Sequence, residues 1–333
     1  MEKISVLGAG SWGTTLALHL YKKGYKVALW EFFPVYAKIL QKKRENIKFV
    51  PGFRIPEDIL ITSDIKSAVE DAGMIVIAVP SHVVRKVCRK LKPFNMKGKI
   101  IVSVAKGIEN RTLMRMSQVI ADELPQSKSD IVVLSGPSHA EEVIRGIPTA
   151  IVAASRNMKK AEYVQQVFMD RNLRVYTNTD LTGVELGGAF KNIIAIACGI
   201  SDGLGFGDNT KAALMTRGMH EISRLGIAMG ARPLTFAGLA GMGDLITTCI
   251  SRHSRNRNFG EMLGKGMTPE QALSKMVMVV EGIRTTLAAH KLAKKYRIEM
   301  PITDEVYAVL YRGKSVKDVA EALMLREAKP EHK

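Results

Sequence analysis

Cysteine is scarce. The 333 residues hold three, Cys88, Cys198 and Cys249, and none forms a CxxC pair. That excludes a disulfide framework and points to a reducing compartment. The histidines show no spacing such as HxxxH, so no metal is expected. No uninterrupted apolar run approaches the length of a membrane span, about 20 residues. The start, Met1-Glu2-Lys3 followed by Ile4-Ser5-Val6-Leu7, is too short in apolar residues for a signal peptide. Stable membrane insertion is not expected, and a cytoplasmic location is. Internal repeats and low-complexity segments are also missing. Acidic residues are few: 32 against 49 lysines and arginines, a net charge of +17. Such a balance suits an anionic partner (nucleic acid, a membrane surface or a phosphorylated small molecule) or simply a lysine-rich surface. The basic pairs Lys22-Lys23, Lys42-Lys43, Lys159-Lys160 and Lys294-Lys295 lie far apart. No basic block is interleaved with aromatics, so nucleic acid is not an expected partner.

What is present is enough apolar sequence, 46%, to bury a substantial core. The length suits two domains. Residues 3–7 read as a buried strand, 12–22 as a helix and 26–30 as a second strand, a β-α-β unit. Short runs rich in β-branched residues at 74–79, 99–104 and 131–135 read as further parallel strands. Residues 149–153 and 174–176 are candidates for two more. Helical patterns lie at 64–71, 82–91 and 111–123. From about residue 183 strands stop, and helices are expected at 184–201, 210–229, 256–264, 269–275, 281–296, 302–311 and 315–323. The fold class is therefore α/β, a Rossmann-type doubly wound sheet over 1–182, then an all-α domain over 183–326 and a polar tail over 327–333.

Gly8, Gly10 and Gly13 lie between the first strand and its helix. The first glycine permits the tight turn, the second lets a pyrophosphate approach, and the third lets helix and strand pack closely. Ser11 and Trp12 complete this loop, which is expected to hold a nicotinamide dinucleotide. Glu31 ends the second strand eighteen residues past Gly13. An acidic residue there accepts hydrogen bonds from ribose and repels a 2′-phosphate, which favours NAD, with NADP as the alternative. Phe32 and Phe33 follow; one stacks on adenine, or both belong to the core.

Four later segments are too polar and glycine-rich for packing alone. Lys106-Gly107 follows a strand, where ligands gather in such folds. Gly136-Pro137-Ser138-His139-Ala140-Glu141 joins a strand to a helix. In Gly187-Gly188-Ala189-Phe190-Lys191-Asn192, a lysine interrupts an apolar helix; if desolvated, it exchanges protons near neutral pH. The fourth runs from Gly241-Met242-Gly243-Asp244 through Thr247-Thr248 to Ser254-Arg255-Asn256, a phosphate cradle at a helix start. Together they suggest a second domain closing over a phosphorylated substrate.

These residues carry a resemblance. GAGSWG at 8–13, VPSH at 79–82, AKGIE at 105–109, SGPSHAEEV at 135–143, GAFKNIIAIACGISDGLGFGDNTKAAL at 188–214, GLAGMGDLITTC at 238–249, SRNRNFG at 254–260 and VVEG at 279–282 resemble NAD(P)-dependent glycerol-3-phosphate dehydrogenase over nearly the whole chain. The resemblance implies a C-terminal domain like that of 6-phosphogluconate dehydrogenase. It implies reversible hydride transfer between sn-glycerol 3-phosphate and NAD(P), giving dihydroxyacetone phosphate, in phospholipid biosynthesis. A homodimer is the expected assembly. Lys191 is then the proton acceptor, Lys106 holds the substrate and helps to polarise the carbonyl, and Asp244 and Thr248 orient Lys191 and the substrate hydroxyls. Gly136 and Ser138 line the substrate site; Ser254, Arg255 and Asn256 contact the substrate, chiefly its phosphate. Ser11, Trp12, Phe49, Lys106, Ala140, Arg255, Val279 and Glu281 match cofactor contacts. Many bacterial members carry histidine or arginine where this chain has Phe32 and Phe33; Trp30-x-Phe32 is closer to NAD-using eukaryotic enzymes. Two other readings use the same loop: a 3-hydroxyacid or 6-phosphogluconate-type dehydrogenase, and an NADH-sensing regulator. The SRNRN and GDLITT segments argue against the first; the second would need the loop but not Lys191, Asp244 and Arg255 together.

Overall fold

The computed structural model describes residues 2–328, 330 and 331. Ten strands occur among them: β1 (Lys3–Leu7), β2 (Lys26–Trp30), β3 (Glu45–Asn46), β4 (Val50–Arg54), β5 (Leu60–Thr62), β6 (Ala72–Ile77), β7 (Ile100–Ser103), β8 (Ile131–Ser135), β9 (Thr149–Ala154) and β10 (Leu173–Asn178). β3 and β4 form a separate antiparallel pair. The other eight form one sheet in the order β10-β9-β8-β7-β6-β1-β2-β5. The chain leaves β1 toward β2 and β5, then returns to place β6 on the other side of β1. That reversal opens a crevice at the carboxyl ends of β1 and β6, the usual ligand position in such sheets.

The sheet is parallel except between β8 and β9, which pair antiparallel. The helix between them, Ala140–Val143, has four residues. It carries the chain about 6 Å, whereas a five-residue strand spans about 17 Å. The chain therefore returns along the sheet as a strand instead of crossing over it. The expected helix over 111–123 begins only at Met116, after Ile108 and Arg115 bridge across a turn. The sequence patterns also pass over helices Pro34–Lys43 and Met158–Phe168 and the β3–β4 hairpin.

After β10 the described chain is helical. Asp180 caps the long helix Leu181–Gly203: its carboxylate accepts from Gly183 N–H at 2.9 Å, Arg232 N–H at 2.8 Å and Thr235 Oγ1 at 2.7 Å. This helix is long and apolar enough to cross a membrane, yet its apolar window is wholly buried inside the protein. It is the axis of the second core. Helix Arg255–Gly264 crosses it at backbone contact. A Cβ on Gly199 would lie 2.0 Å from the Arg257 carbonyl oxygen, and one on Gly260 would lie 2.1 Å from that of Ile196. Only glycine permits that approach, and it fixes where the start of helix Arg255–Gly264 stands relative to Lys191. Of the tail over 327–333, Lys329, His332 and Lys333 lie outside the described residues.

Candidate active site

The first wall of the site is the turn after β1. Gly8 has φ +115°, and a Cβ there would meet the Ala78 carbonyl oxygen at 2.7 Å. A Cβ on Gly13 would lie 1.9 Å from the Gly8 oxygen. Gly10 differs: a Cβ there would meet nothing within 4 Å, so the space above it is open. Helix Ser11–Lys22 begins at Gly10 without a side-chain cap. Its first N–H groups have no partner within the helix and carry the positive end of its dipole. The loop is braced from below by Asn46, which is fully buried. Its amide donates to the Ala9 carbonyl at 2.8 Å and to Thr14 Oγ1 at 2.7 Å, and it accepts from the Tyr36 hydroxyl at 2.6 Å.

Glu31 stands at the end of β2, 7% exposed, and accepts the Phe33 N–H at 3.0 Å. Burial pushes its pKa up; the hydrogen bond and Lys48 oppose that shift. Phe32 and Phe33 are 39% and 63% exposed, so neither is core. Phe49 is partly buried, edge-on to Tyr36.

The second wall comes from three elements. Lys191, on helix Leu181–Gly203, is buried at 6% exposure. Its ammonium donates to Asp244 Oδ1 and, at 2.5 Å, to Thr248 Oγ1. Lys106, just beyond β7, donates to the other Asp244 oxygen at 2.7 Å and to the Gly136 carbonyl at 2.9 Å. One carboxylate thus holds both lysines. Asp244 is placed by a wide turn in which Gly243 N–H reaches the Gly238 carbonyl at 3.2 Å. Gly187 lets that turn approach; a Cβ there would lie 2.5 Å from the Ala240 oxygen. Burial lowers the Lys191 pKa to about 8; Asp244 opposes the shift and Lys106 adds to it. A lysine with that pKa exchanges protons near neutrality. His139 stands in the same field: burial, then Lys191, lowers its pKa, and its Nε2 is buried with no hydrogen-bond partner among the described residues. Ser138 turns its hydroxyl to the Gly136 carbonyl at 2.9 Å.

The Ser254-Arg255-Asn256 segment divides its work. Ser254 caps the helix by accepting from Arg257 N–H at 3.2 Å. Asn256 donates to Asn192 Oδ1 at 2.9 Å and accepts from Gly282 N–H at 2.8 Å. It ties the lysine helix to helix Glu281–Tyr296. Arg255 donates to the Val279 carbonyl at 3.3 Å and forms no ion pair among the described residues, while Glu281 and Glu141 lie near enough to favour its charged form. Burial lowers its pKa from the guanidinium range. A partly buried guanidinium with no carboxylate in ion-pair contact keeps donors available to an anion.

This geometry has a counterpart in known proteins. Residues 3–161 match the profile of NAD-dependent glycerol-3-phosphate dehydrogenase N-terminus, and residues 180–321 match that of its C-terminus. The chain belongs to the NAD-dependent glycerol-3-phosphate dehydrogenase family. Glycerol-3-phosphate dehydrogenase [NAD(P)+] of Moorella thermoacetica is 56% identical over 325 residues, 98% of this chain and 96% of that protein. The Bacillus subtilis protein of the same name is 51% identical over 327 residues, 98% of this chain and 95% of its own. The crystal structure of glycerol-3-phosphate dehydrogenase from Coxiella burnetii superposes with a TM-score of 0.94 at 39% identity, covering 98% of this chain and 99% of that one.

Within this family fold, Lys106, Gly136, Lys191, Asp244 and Thr248 meet at one point, as their spacing in the sequence alone could not require. Glu281 reaches a partner the sequence did not suggest. Its carboxylate accepts from Ser81 N–H at 2.9 Å and Ser81 Oγ at 2.6 Å, joining the helical half to the end of β6. Gly107 makes room, since a Cβ there would lie 2.4 Å from Ser81 Oγ. Sequence reasoning also missed Asn46 and His139. Asn46 gives no signal, because the loop atoms it holds, at Ala9 and Thr14, lie more than 30 positions away; His139 stood in a segment already singled out.

Proposed function

We propose that this chain interconverts sn-glycerol 3-phosphate and dihydroxyacetone phosphate with NAD(P), and that Lys191 is the proton-transferring group. The two lysines sharing Asp244 carry the proposal. The open space over Gly10 and the uncapped start of helix Ser11–Lys22 suit a dinucleotide pyrophosphate. Gly8, Gly10, Ser11, Trp12 and Gly13 would hold it, with Glu31 on the ribose. NAD(P), when bound, accepts a hydride from substrate C2 or returns it. Neutral Lys191 takes the proton of the C2 hydroxyl; in reduction, its ammonium gives that proton to the carbonyl oxygen. Lys106 supplies a second positive charge where negative charge develops on that oxygen. Arg255 and the start of helix Arg255–Gly264 hold the phosphate, remote from the reacting carbon, so binding there orients it. Ser254 and Asn256 shape that end. Ser138, Thr248, Ala140, Phe49, Val279 and Glu281 complete the two subsites in this reading.

A supply role in phospholipid synthesis, a cytoplasmic location and a homodimer belong to the same proposal, supported by the family resemblance. Glu31 favours NAD. Replacing Lys191 by alanine lowers kcat at least about a hundredfold, as removal of a positioned acid–base group does. Near-normal turnover by that variant would reject the role.

A further inference from the structure

Helix Val84–Leu91 follows β6, and two of its lysines reach Phe32, the neighbour of Glu31. It divides its cations into two sets. Arg85 is consumed by carboxylates: Glu109 at 2.7 Å, Asp122 at 2.5 Å and Glu123 at 2.6 Å. Arg89 pairs with Glu123 at 3.1 Å. Lys86 and Lys90, four apart and so on one helix face, do otherwise. Their ammonium groups lie 5.0 and 5.8 Å from the centre of the Phe32 ring. Neither forms an ion pair among the described residues. A ring positions a cation without neutralising it, so both charges remain available to an anion. Phe32 directly follows Glu31, where the adenosine ribose is read. A third lysine, Lys48, between β3 and β4, lies over Phe49 at 5.1 Å and near enough to Glu31 to favour its charged form.

We propose that Lys86 and Lys90, with Lys48, form a cationic rim that admits the 2′-phosphate of NADP(H) beside Glu31. The rim rests on the dinucleotide part of the reading above and not on the substrate. Glu31 alone repels a 2′-phosphate. Three ammonium groups from two other elements outweigh one carboxylate at that distance range. The rim, set against Glu31, therefore decides how well NADP(H) competes with NAD(H), and its hold on the 2′-phosphate is salt-sensitive.

The test compares NADH and NADPH, which differ only in the 2′-phosphate, by fluorescence titration of the purified protein without substrate. In the Lys86→Gln, Lys90→Gln double variant, the ratio of the NADPH to the NADH dissociation constant rises about tenfold, the scale of two charge contacts to phosphate. High salt raises the same ratio in the unaltered protein. Lys294→Gln, Lys295→Gln, in the last turn of helix Glu281–Tyr296 and at the opposite end from Glu281, leaves it unchanged. An unchanged ratio in the first variant, or equal weakening of both cofactors, overturns the rim. Failure to bind either cofactor overturns the dinucleotide reading and the rim with it. Binding of both without turnover of dihydroxyacetone phosphate counts against the substrate reading alone.

Discussion

Lys191 is a lysine whose surroundings were chosen by its helix. Leu181–Gly203 is buried along its length, so a lysine on it loses water unless a partner is supplied. Asp244 supplies the partner, and Lys106 competes for it. The sign of the pH dependence follows. In the proposed role, the ammonium that predominates below about 8 serves reduction and the neutral amine above it serves oxidation. Oxidation of glycerol 3-phosphate therefore rises with pH through about 8, and reduction falls through the same range. Because Lys106 lowers the Lys191 pKa, Lys106→Met moves both limbs to higher pH while slowing turnover. A pH–rate profile of that variant decides this; limbs that stay in place or move down contradict it. The proposed role of Arg255 is separate. Arg255→Ala raises KM for dihydroxyacetone phosphate at least about tenfold, consistent with loss of a desolvated charge contact. An unchanged KM would show that the phosphate lies elsewhere.

At the scale of elements, the site depends on contacts that join distant stretches of chain. The β3–β4 hairpin contributes Asn46, whose amide holds the floor of the dinucleotide loop at Ala9 and Thr14. Asn46→Ala leaves a buried carbonyl and hydroxyls short of partners, at a cost of about 1–3 kcal/mol. The expected result is a lower Tm together with weaker NADH binding. A lower Tm with unaltered NADH affinity would make Asn46 a packing residue only. This element shows where sequence reading stops. Gly8, Gly10, Gly13 and Glu31 were legible because a strand, a turn and a helix follow one another within a single β-α-β unit. Lys191 was legible because a charge interrupts an apolar period. Asn46, the Ser81–Glu281 contact and the Lys86–Phe32–Lys90 cluster were not, since each joins elements far apart in the chain. The β8–β9 reversal was hidden for another reason: the pattern of a buried strand is the same in either direction.

For the whole molecule, the sheet half and the helical half meet at one crevice. The sheet supplies the dinucleotide loop and Lys106; the helical half supplies Lys191, Asp244 and Arg255. The glycine crossing of Gly199 with Arg257 and Gly260 with Ile196 keeps the start of helix Arg255–Gly264, the proposed phosphate end, at a fixed reach from Lys191. The division into sheet and helices was legible from the change of pattern near residue 183. The closure between them was not, because it rests on Glu281 with Ser81 and on Asn256 with Asn192 and Gly282. The central claim is that this crevice transfers a hydride between a nicotinamide cofactor and a three-carbon phosphate. The most direct measurement follows NADH absorbance in the presence of dihydroxyacetone phosphate across the range around pH 8. The account predicts ketone-dependent oxidation of NADH that declines as pH rises through about 8. No ketone-dependent oxidation, with NADH or with NADPH, would contradict it.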